Sequence, residues 1–174
     1  NTRGIGRYTE ELIRSLIGLL PEKDRIILFV RDPVSSPFRD HSSVEHRKAD
    51  VPWYSWREQF VMPWLFWRAK ADIIHVPHWN VPLLYRGPFS LMIHDLLLLH
   101  ADAQMSAKAS MLHPFYFWLK RFGHRITLWN AMRRAKFIYV PTRYVAEEVK
   151  RFYPNAVVPF VTSEGLSTLP LPDD

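Results

Sequence analysis

The chain has 174 residues, of which 48% are hydrophobic and 23% charged, as in a single globular domain, so wholesale disorder is excluded. Lys and Arg total 23 against 17 Asp and Glu, and the resulting net charge of +6 suits an anionic partner such as a nucleotide, a lipid headgroup or a nucleic acid. Cysteine is absent, which excludes a disulfide scaffold, a Cys-ligated zinc site and a thiol nucleophile.

The first elements predicted are a helix and a strand. Apolar residues from Ile5 to Leu20 recur at helical spacing and charged residues occupy the other face, which predicts an amphipathic helix that Pro21 should end. The continuous apolar run Arg25–Val30 predicts a strand buried on both faces, which is typical of a parallel sheet. Residues 31–51 are polar and rich in Pro and Ser, so we expect a long loop there.

A second helix and strand are predicted next. Ser55 and Glu58 have the spacing of a capping box, which places the start of a helix at Trp56, and Pro63 should kink or split that helix. The short apolar run Asp72–Val76 then predicts a strand.

Two further strands enclose a long helical segment. Apolar runs at Phe89–Ile93 and Lys136–Val140 predict the strands, and the helix is expected from about Ser106 to Ala135 with a break near Gly123.

The last predicted elements are a capped helix and an edge strand. Thr142 should cap a helix that ends near Tyr153, and the run Ala156–Val161 should form an edge strand because it contains Pro159. Strands therefore alternate with helices, which predicts an α/β domain with a parallel sheet. Ligands bind at the carboxyl ends of strands in such sheets, so the residues that follow each strand are the candidate site.

Two glycines precede and open the first helix. Gly4 and Gly6 would let an anion approach the backbone N–H groups at a helix N-terminus, although this pattern by itself favours an ordinary glycine-rich turn. Thr9 stands where a dinucleotide-binding fingerprint needs its third glycine, which disfavours a nicotinamide cofactor.

The segment after Asp72–Val76 offers groups that suit a polyhydroxylated ligand. His78, Trp79 and Asn80 provide a ring for stacking and several hydrogen-bonding groups. No third ligand lies near His75 and His78, so a metal site is not predicted, and His75 is interpreted as a hydrogen-bonded core histidine.

Polar pairs also follow the next two strands. His94 and Asp95 should face solvent or a ligand, since their burial without partners would be costly; a capping role for Asp95 is an equal alternative. Thr142 is interpreted chiefly as a helix cap, and Arg143 as a residue that could contact an anion.

Four motifs in this order and spacing resemble the N-terminal domain of glycosyltransferase family 4 (group 1), whose members have the GT-B fold. They are R-G-I-G-R-Y-T-E-E-L, D-I-I-H-V-P-H, I-H-D-L and R-R-A-K-F-I-Y-V-P-T-R-Y, and the resemblance extends from Arg3 to about Gly165.

The resemblance implies a fold and a domain organisation. Residues 1–166 would form a Rossmann-like, acceptor-side domain, a parallel sheet with helices on both faces, and residues 167–174 a linker toward a C-terminal donor-binding domain. The family's first strand, which is central in this fold, would precede Thr2, so we expect the chain to be a piece of a longer protein, cut at both ends and inactive alone.

The resemblance also implies an activity. Such enzymes transfer a sugar, with retention at the anomeric carbon and generally without a required metal or other cofactor, from a nucleotide-sugar to an acceptor such as a glycan or a lipid-linked sugar. Gly4 and Gly6 would approach the donor phosphates, and His94 would lie close to the transferred sugar. We predict His94 and Asp95 as catalytic, and the following as acceptor contacts: His78, Trp79, Asn80, Thr142 and Arg143.

The alternative is a non-catalytic peripheral membrane or interaction module. Aromatic residues stand beside basic ones in two places, at Trp53–Lys70 and at Phe115–Arg125, which suits an anionic membrane surface, although a core helix with snorkelling basic residues fits the same pattern. No apolar run reaches the roughly 20 residues that cross a bilayer. We expect a cytoplasmic protein, at the cytoplasmic membrane face if lipid binds, and no nucleic-acid partner, because no motif for one is present.

Overall fold

The computed structural model describes residues 4–96, 99 and 114–163. The helices in this part of the chain are α1 (Ile5–Ile17), α2 (Trp56–Ala69), α3 (Pro114–Arg134) and α4 (Arg143–Phe152). The strands are β1 (Ile26–Val30), β2 (Val44–Lys48), β3 (Ile74–Val76), β4 (Phe89–Met92), β5 (Phe137–Val140) and β6 (Phe160–Val161). The linker predicted at residues 167–174 lies outside the described residues.

All strand pairs in the described chain are parallel, as the apolar runs predicted. β3, β4, β5 and β6 form one sheet in that order, with Ile74 opposite Phe89 and Leu91 opposite Ile138. β1 and β2 form a separate two-stranded sheet, so the single sheet we expected appears among these residues as two. The fold is mixed α/β and Rossmann-like, and in the described chain β1 and β2, and likewise β3 and β4, follow one another without an intervening helix.

The main core surrounds β4. All four residues of β4 are buried, and because successive strand residues point to opposite faces, both faces of the sheet are covered there. α2 contributes Phe66 to this core, α3 contributes Met132 and α4 contributes Val149. The helices therefore fix the strand ends in place by packing against one common centre.

The segment predicted as a long loop, residues 31–51, contains β2, and that prediction was wrong. Only Val44 of this strand is buried, while Glu45, Arg47 and Lys48 give it the polar composition of a loop. Val44 packs with Ile13 of α1 and with Phe38 in a small second core, and backbone pairing with β1 supplies the rest. A mostly polar strand such as β2 has no apolar pattern in its own sequence, because it is stabilised by pairing with β1, a separate segment of the chain.

The helix caps agree with the sequence, whereas the predicted helix breaks do not. Ser55 Oγ accepts a hydrogen bond from Glu58 N at 3.2 Å, and α2 then runs through Pro63 without a split. α3 likewise passes through Gly123, and residues 106–113 of that predicted helix lie outside the described chain. α4 is capped by Thr142 as predicted, and β6 lies at the sheet edge directly after Pro159.

Candidate functional site

Five of the nine predicted site residues converge on one cavity at the carboxyl edge of the larger sheet. β3, β4 and β5 end at this edge because they are parallel, and the N-terminus of α1 lies beside them. The cavity has a volume of about 400 Å³, within the ~300–1,000 Å³ usual for small-molecule sites. Its lining consists of Gly4, Ile5, Tyr8, His78, Trp79, His94, Asp95 and Pro141.

The N-terminus of α1 opens into this cavity at Gly4. Gly4 has φ 59° and ψ −117°, a backbone conformation that residues with a Cβ rarely adopt, and no side chain among the described residues caps the helix. The first N–H groups of a helix have no partner within it, and the helix dipole places partial positive charge there. This arrangement favours a bound anion. Gly6 lies in the first turn of α1 and is not among the lining residues.

His94 is fixed in the cavity wall by two contacts. It follows β4 by two residues, and its Nε2 donates a hydrogen bond to the backbone oxygen of Pro77 at 3.2 Å. Its ring meets the ring of Tyr8 edge to face, with 5.1 Å between centroids. A half-buried imidazole held in this way is oriented before any ligand binds, which reduces the entropic cost of using it.

His78 and Asp95 are electrostatically coupled across the cavity. Burial lowers the pKa of the His78 imidazole below its ordinary value of 6.5, the neighbouring His94 and His124 lower it further, and the Asp95 carboxylate opposes them. His78 Nδ1 is buried and has no hydrogen-bond partner among the described residues. His78 is therefore chiefly neutral at pH 7, and the exposed Asp95 is the acidic side chain of the lining.

Trp79 contributes less to the cavity than the sequence suggested. The residue is 7% exposed and belongs to the main core, so only a small part of its indole can meet a ligand. Its ring packs against those of His78, with 4.9 Å between centroids, and His124, with 5.1 Å. Trp79 therefore supports the cavity wall more than it offers an open stacking face.

Three predicted acceptor contacts do not line the cavity. The Asn80 amide donates to Glu58 Oε1 at 2.8 Å, which ties the loop after β3 to the N-terminus of α2. Thr142 Oγ1 accepts a hydrogen bond from Val145 N at 3.2 Å and caps α4. Arg143 is exposed at the start of α4. Their proposed roles as binding residues gain no support from this geometry.

Sequence reasoning missed three residues of the lining, Ile5, Tyr8 and Pro141, and one of its supports, His124. Tyr8 had been assigned only to the apolar face of α1, although it follows Gly4 by one helical turn and so returns to the same side. Pro141 directly follows β5, a position that should have been included. His124 gave no local signal, because α3 brings it to Trp79 from 45 positions along the chain.

His75, interpreted from sequence as a core histidine, is only partly satisfied. Its Nδ1 lies 2.9 Å from Ser90 Oγ across the β3–β4 pair, but its buried Nε2 has no hydrogen-bond partner among the described residues. Burial lowers the pKa of His75 to about 4.

This histidine should make folding acid-sensitive. Because its folded-state pKa of about 4 lies below the ordinary 6.5, its contribution to stability is complete above pH 6.5 and is lost as the pH falls toward 4. Between pH 7.5 and 4, the free energy of unfolding of the wild type should fall by up to about 3 kcal/mol more than that of His75→Asn. Asparagine keeps a polar group near Ser90 but cannot titrate. Urea unfolding followed by circular dichroism at several pH values measures this difference, and equal pH dependence of the two proteins would contradict it.

Among the described residues, no group of three or more His, Asp or Glu side chains is arranged to hold a metal ion. In the same residues, every helix is too short or too polar to span a bilayer.

Comparison with known protein families identifies a match to the chain. The sequence model of the family described as Glycosyltransferase Family 4 matches residues 2–159, which is most of the chain and includes every residue of the cavity lining. No curated protein matches the chain.

Proposed function

The chain belongs to glycosyltransferase family 4, and from this premise we propose that its cavity is the acceptor-side wall of a sugar-transfer site. The proposed reaction moves a sugar from a nucleotide-sugar donor to a glycan or lipid-linked acceptor, with retention at the anomeric carbon. The observation that carries the proposal is the convergence of the uncapped α1 N-terminus, His94 and Asp95 on one cavity of about 400 Å³.

The proposed chemistry separates charge along the bond that breaks. When the bond between the anomeric carbon and the phosphate oxygen breaks, the sugar becomes oxocarbenium-like and negative charge grows on the leaving nucleoside diphosphate. Backbone N–H groups at the start of α1, where Gly4 allows close approach, are suited to stabilise that charge without a resident metal. On the face from which the diphosphate leaves, the sugar carbon then forms its new bond with the acceptor oxygen, whose proton passes to the Asp95 carboxylate.

His94 and Asp95 would act on the sugar and on the acceptor. The His94 ring is held by Pro77 and Tyr8, so a hydroxyl placed beside it meets a fixed partner. Asp95 is exposed and can accept a hydrogen bond from an acceptor hydroxyl, which both orients that group and favours loss of its proton. The buried Nδ1 of His78 is a further group that a polyhydroxylated ligand could satisfy.

An acceptor-dependent release of nucleoside diphosphate from the full-length protein tests the proposal. We expect turnover with one member of a panel of nucleotide-sugars that differ in base and sugar, and a reduction of about 10²-fold in Asp95→Asn because a positioned proton acceptor is lost. Asp40→Asn, a change at a fully exposed carboxylate in the loop before β2, is the matched control and should be unchanged.

Two results would argue against the proposal. Wild-type turnover in Asp95→Asn would remove that residue from the site, and no release with any donor and acceptor pair would argue against transfer itself. An inverted anomeric configuration in the product, read by NMR, would exclude retention while leaving transfer intact.

A second function, peripheral binding to a membrane at its cytoplasmic face, is favoured by a separate observation. Several aromatic residues of α2 are exposed, although their composition also suits burial in a hydrophobic core. The two functions are compatible, because a lipid-linked acceptor would be met at a membrane.

A further inference from the structure

Helix α2 is apolar on two faces, and the described part of the chain covers one of them. Phe66 and Ala69 of α2 are buried in the main core, whereas four aromatic residues point away from it: Trp56, Phe60, Trp64 and Trp67. At 100° per residue these four lie within an arc of about 80°, so they form one continuous stripe, here called the aromatic face. Trp56 is 84% exposed and Trp67 is 75% exposed. A surface helix of a globular protein normally carries polar residues at such positions.

Positive charge borders the aromatic face. Arg57 and Arg68 lie on the same side of α2, and the Arg68 guanidinium stacks over the Trp64 ring at 4.8 Å from its centroid. The single carboxylate of α2, Glu58, is on the buried face, where it accepts hydrogen bonds from Tyr54 N and from the Asn80 amide. No acidic side chain of α2 therefore interrupts the exposed stripe.

A groove continues this surface at the C-terminal end of α2. It has a volume of about 570 Å³ and lies between α2 and the loop before β4. Trp64, Trp67 and the stem of Lys70 line one side, and Arg86 lines the other. The described lining residues include these two cations and no carboxylate, so the groove offers an anion charged partners beside apolar walls.

We propose that the aromatic face and this groove dock the protein on an anionic phospholipid bilayer, with α2 lying parallel to the membrane plane. Tryptophan is suited to the headgroup level because its ring is apolar and its N–H can remain hydrated. Lys70 and Arg86 attract the negative surface, and phosphate groups of the lipids would occupy the groove between them. This inference does not depend on sugar transfer, and its test measures binding alone.

Charge complementarity selects this occupant over a second copy of the chain. Two copies meeting through this surface would bring Arg57, Arg68, Lys70 and Arg86 of one beside the same residues of the other. Like charges that meet across an interface repel, whereas a bilayer rich in anionic headgroups attracts all four.

Vesicle sedimentation with the full-length protein is the direct experiment. We expect binding to vesicles of phosphatidylcholine with 30% phosphatidylglycerol, about tenfold weaker binding in 1 M than in 0.1 M NaCl, and little binding to phosphatidylcholine alone. Trp56→Gln/Trp67→Gln should weaken binding to the anionic vesicles at least about tenfold at both salt concentrations. Lys70→Gln/Arg86→Gln should weaken it about tenfold or more, chiefly at low salt.

A tryptophan elsewhere on the surface provides the matched control. Trp129 on α3 is 50% exposed, as is Trp64, and Arg133 stacks over it at 4.7 Å, so this Trp–Arg pair repeats the one on α2. Trp129→Gln should bind vesicles as the wild type does, and circular dichroism should show all variants folded.

Three results would overturn the proposal. These are no binding to the anionic vesicles, equal losses in Trp129→Gln and in the α2 variants, and a wild-type dimer in solution that the α2 substitutions convert to a monomer. The last result would assign the aromatic face to a second copy of the chain.

Discussion

Replacement of His94 with alanine is expected to lower kcat for sugar transfer by about 10²–10³-fold while the protein remains folded. The substitution removes the ring that lines the cavity beside Asp95, together with its hydrogen bond to the Pro77 oxygen and its contact with Tyr8. The cost in stability should be about 1–3 kcal/mol, because a half-buried side chain loses both its hydrogen bond and its ring contact with Tyr8.

Kinetics separate a role in the reaction from a role in substrate binding. If His94 acts on the transition state, kcat and kcat/KM should fall by the same factor, whereas loss of ground-state binding would raise KM alone. His41→Ala, at an exposed histidine before β2, controls for the removal of an imidazole from the protein. A folded His94→Ala variant with wild-type kcat would exclude the residue from the mechanism.

Replacement of Gly4 with valine is expected to lower kcat/KM for the donor by about 10²-fold. The structure has two reasons for this effect. The φ of 59° at Gly4 strains any residue with a Cβ, at a cost of about 1–3 kcal/mol. A Cβ at Gly4 would also meet no atom of the described residues within 4 Å, apart from its chain neighbours, so the new side chain would extend into open space at the start of α1, where we propose that the donor phosphates approach.

A glycine at the other end of the same helix is the matched control. Gly18 follows the last residue of α1 with an ordinary φ of −74°, and a Cβ there would meet only Ser15 O at 3.7 Å. Gly18→Val should therefore leave donor use unchanged. Equal losses of donor use in the two variants would mean that the effect arises from destabilisation of α1 and that the Gly4 turn has no role in phosphate binding.

The site was predictable where a strand end could be located from local pattern. The runs before His94 and before His78 are short and apolar, and parallel strands bring their carboxyl ends together, so the meeting of these histidines with Asp95 follows from the order of elements. Asn80 and Thr142 also follow predicted strands, but Asn80 donates a hydrogen bond to Glu58 and Thr142 caps α4. Position after a strand gives the correct edge of the sheet without giving the direction of each side chain.

The sequence also did not decide which aromatic residues of α2 are buried. The composition of α2 suits both a core helix and a membrane-binding helix, and the sequence favours neither. Only the packing of Phe66 into the main core shows which face is covered and leaves Trp56 and Trp67 exposed.

The sequence by itself determined the α/β class, the parallel pairing, the caps at Ser55 and Thr142 and the resemblance to the family. The caps and the apolar runs depend on residues within a few positions of one another, and the class and the resemblance depend on the order of such local motifs along the chain. Tertiary structure alone decided that β2 exists, that Tyr8 and Pro141 complete the cavity and that His124 supports it. These features depend on contacts between segments far apart in the chain, and such contacts are set by the packing of the whole domain, which no local pattern records.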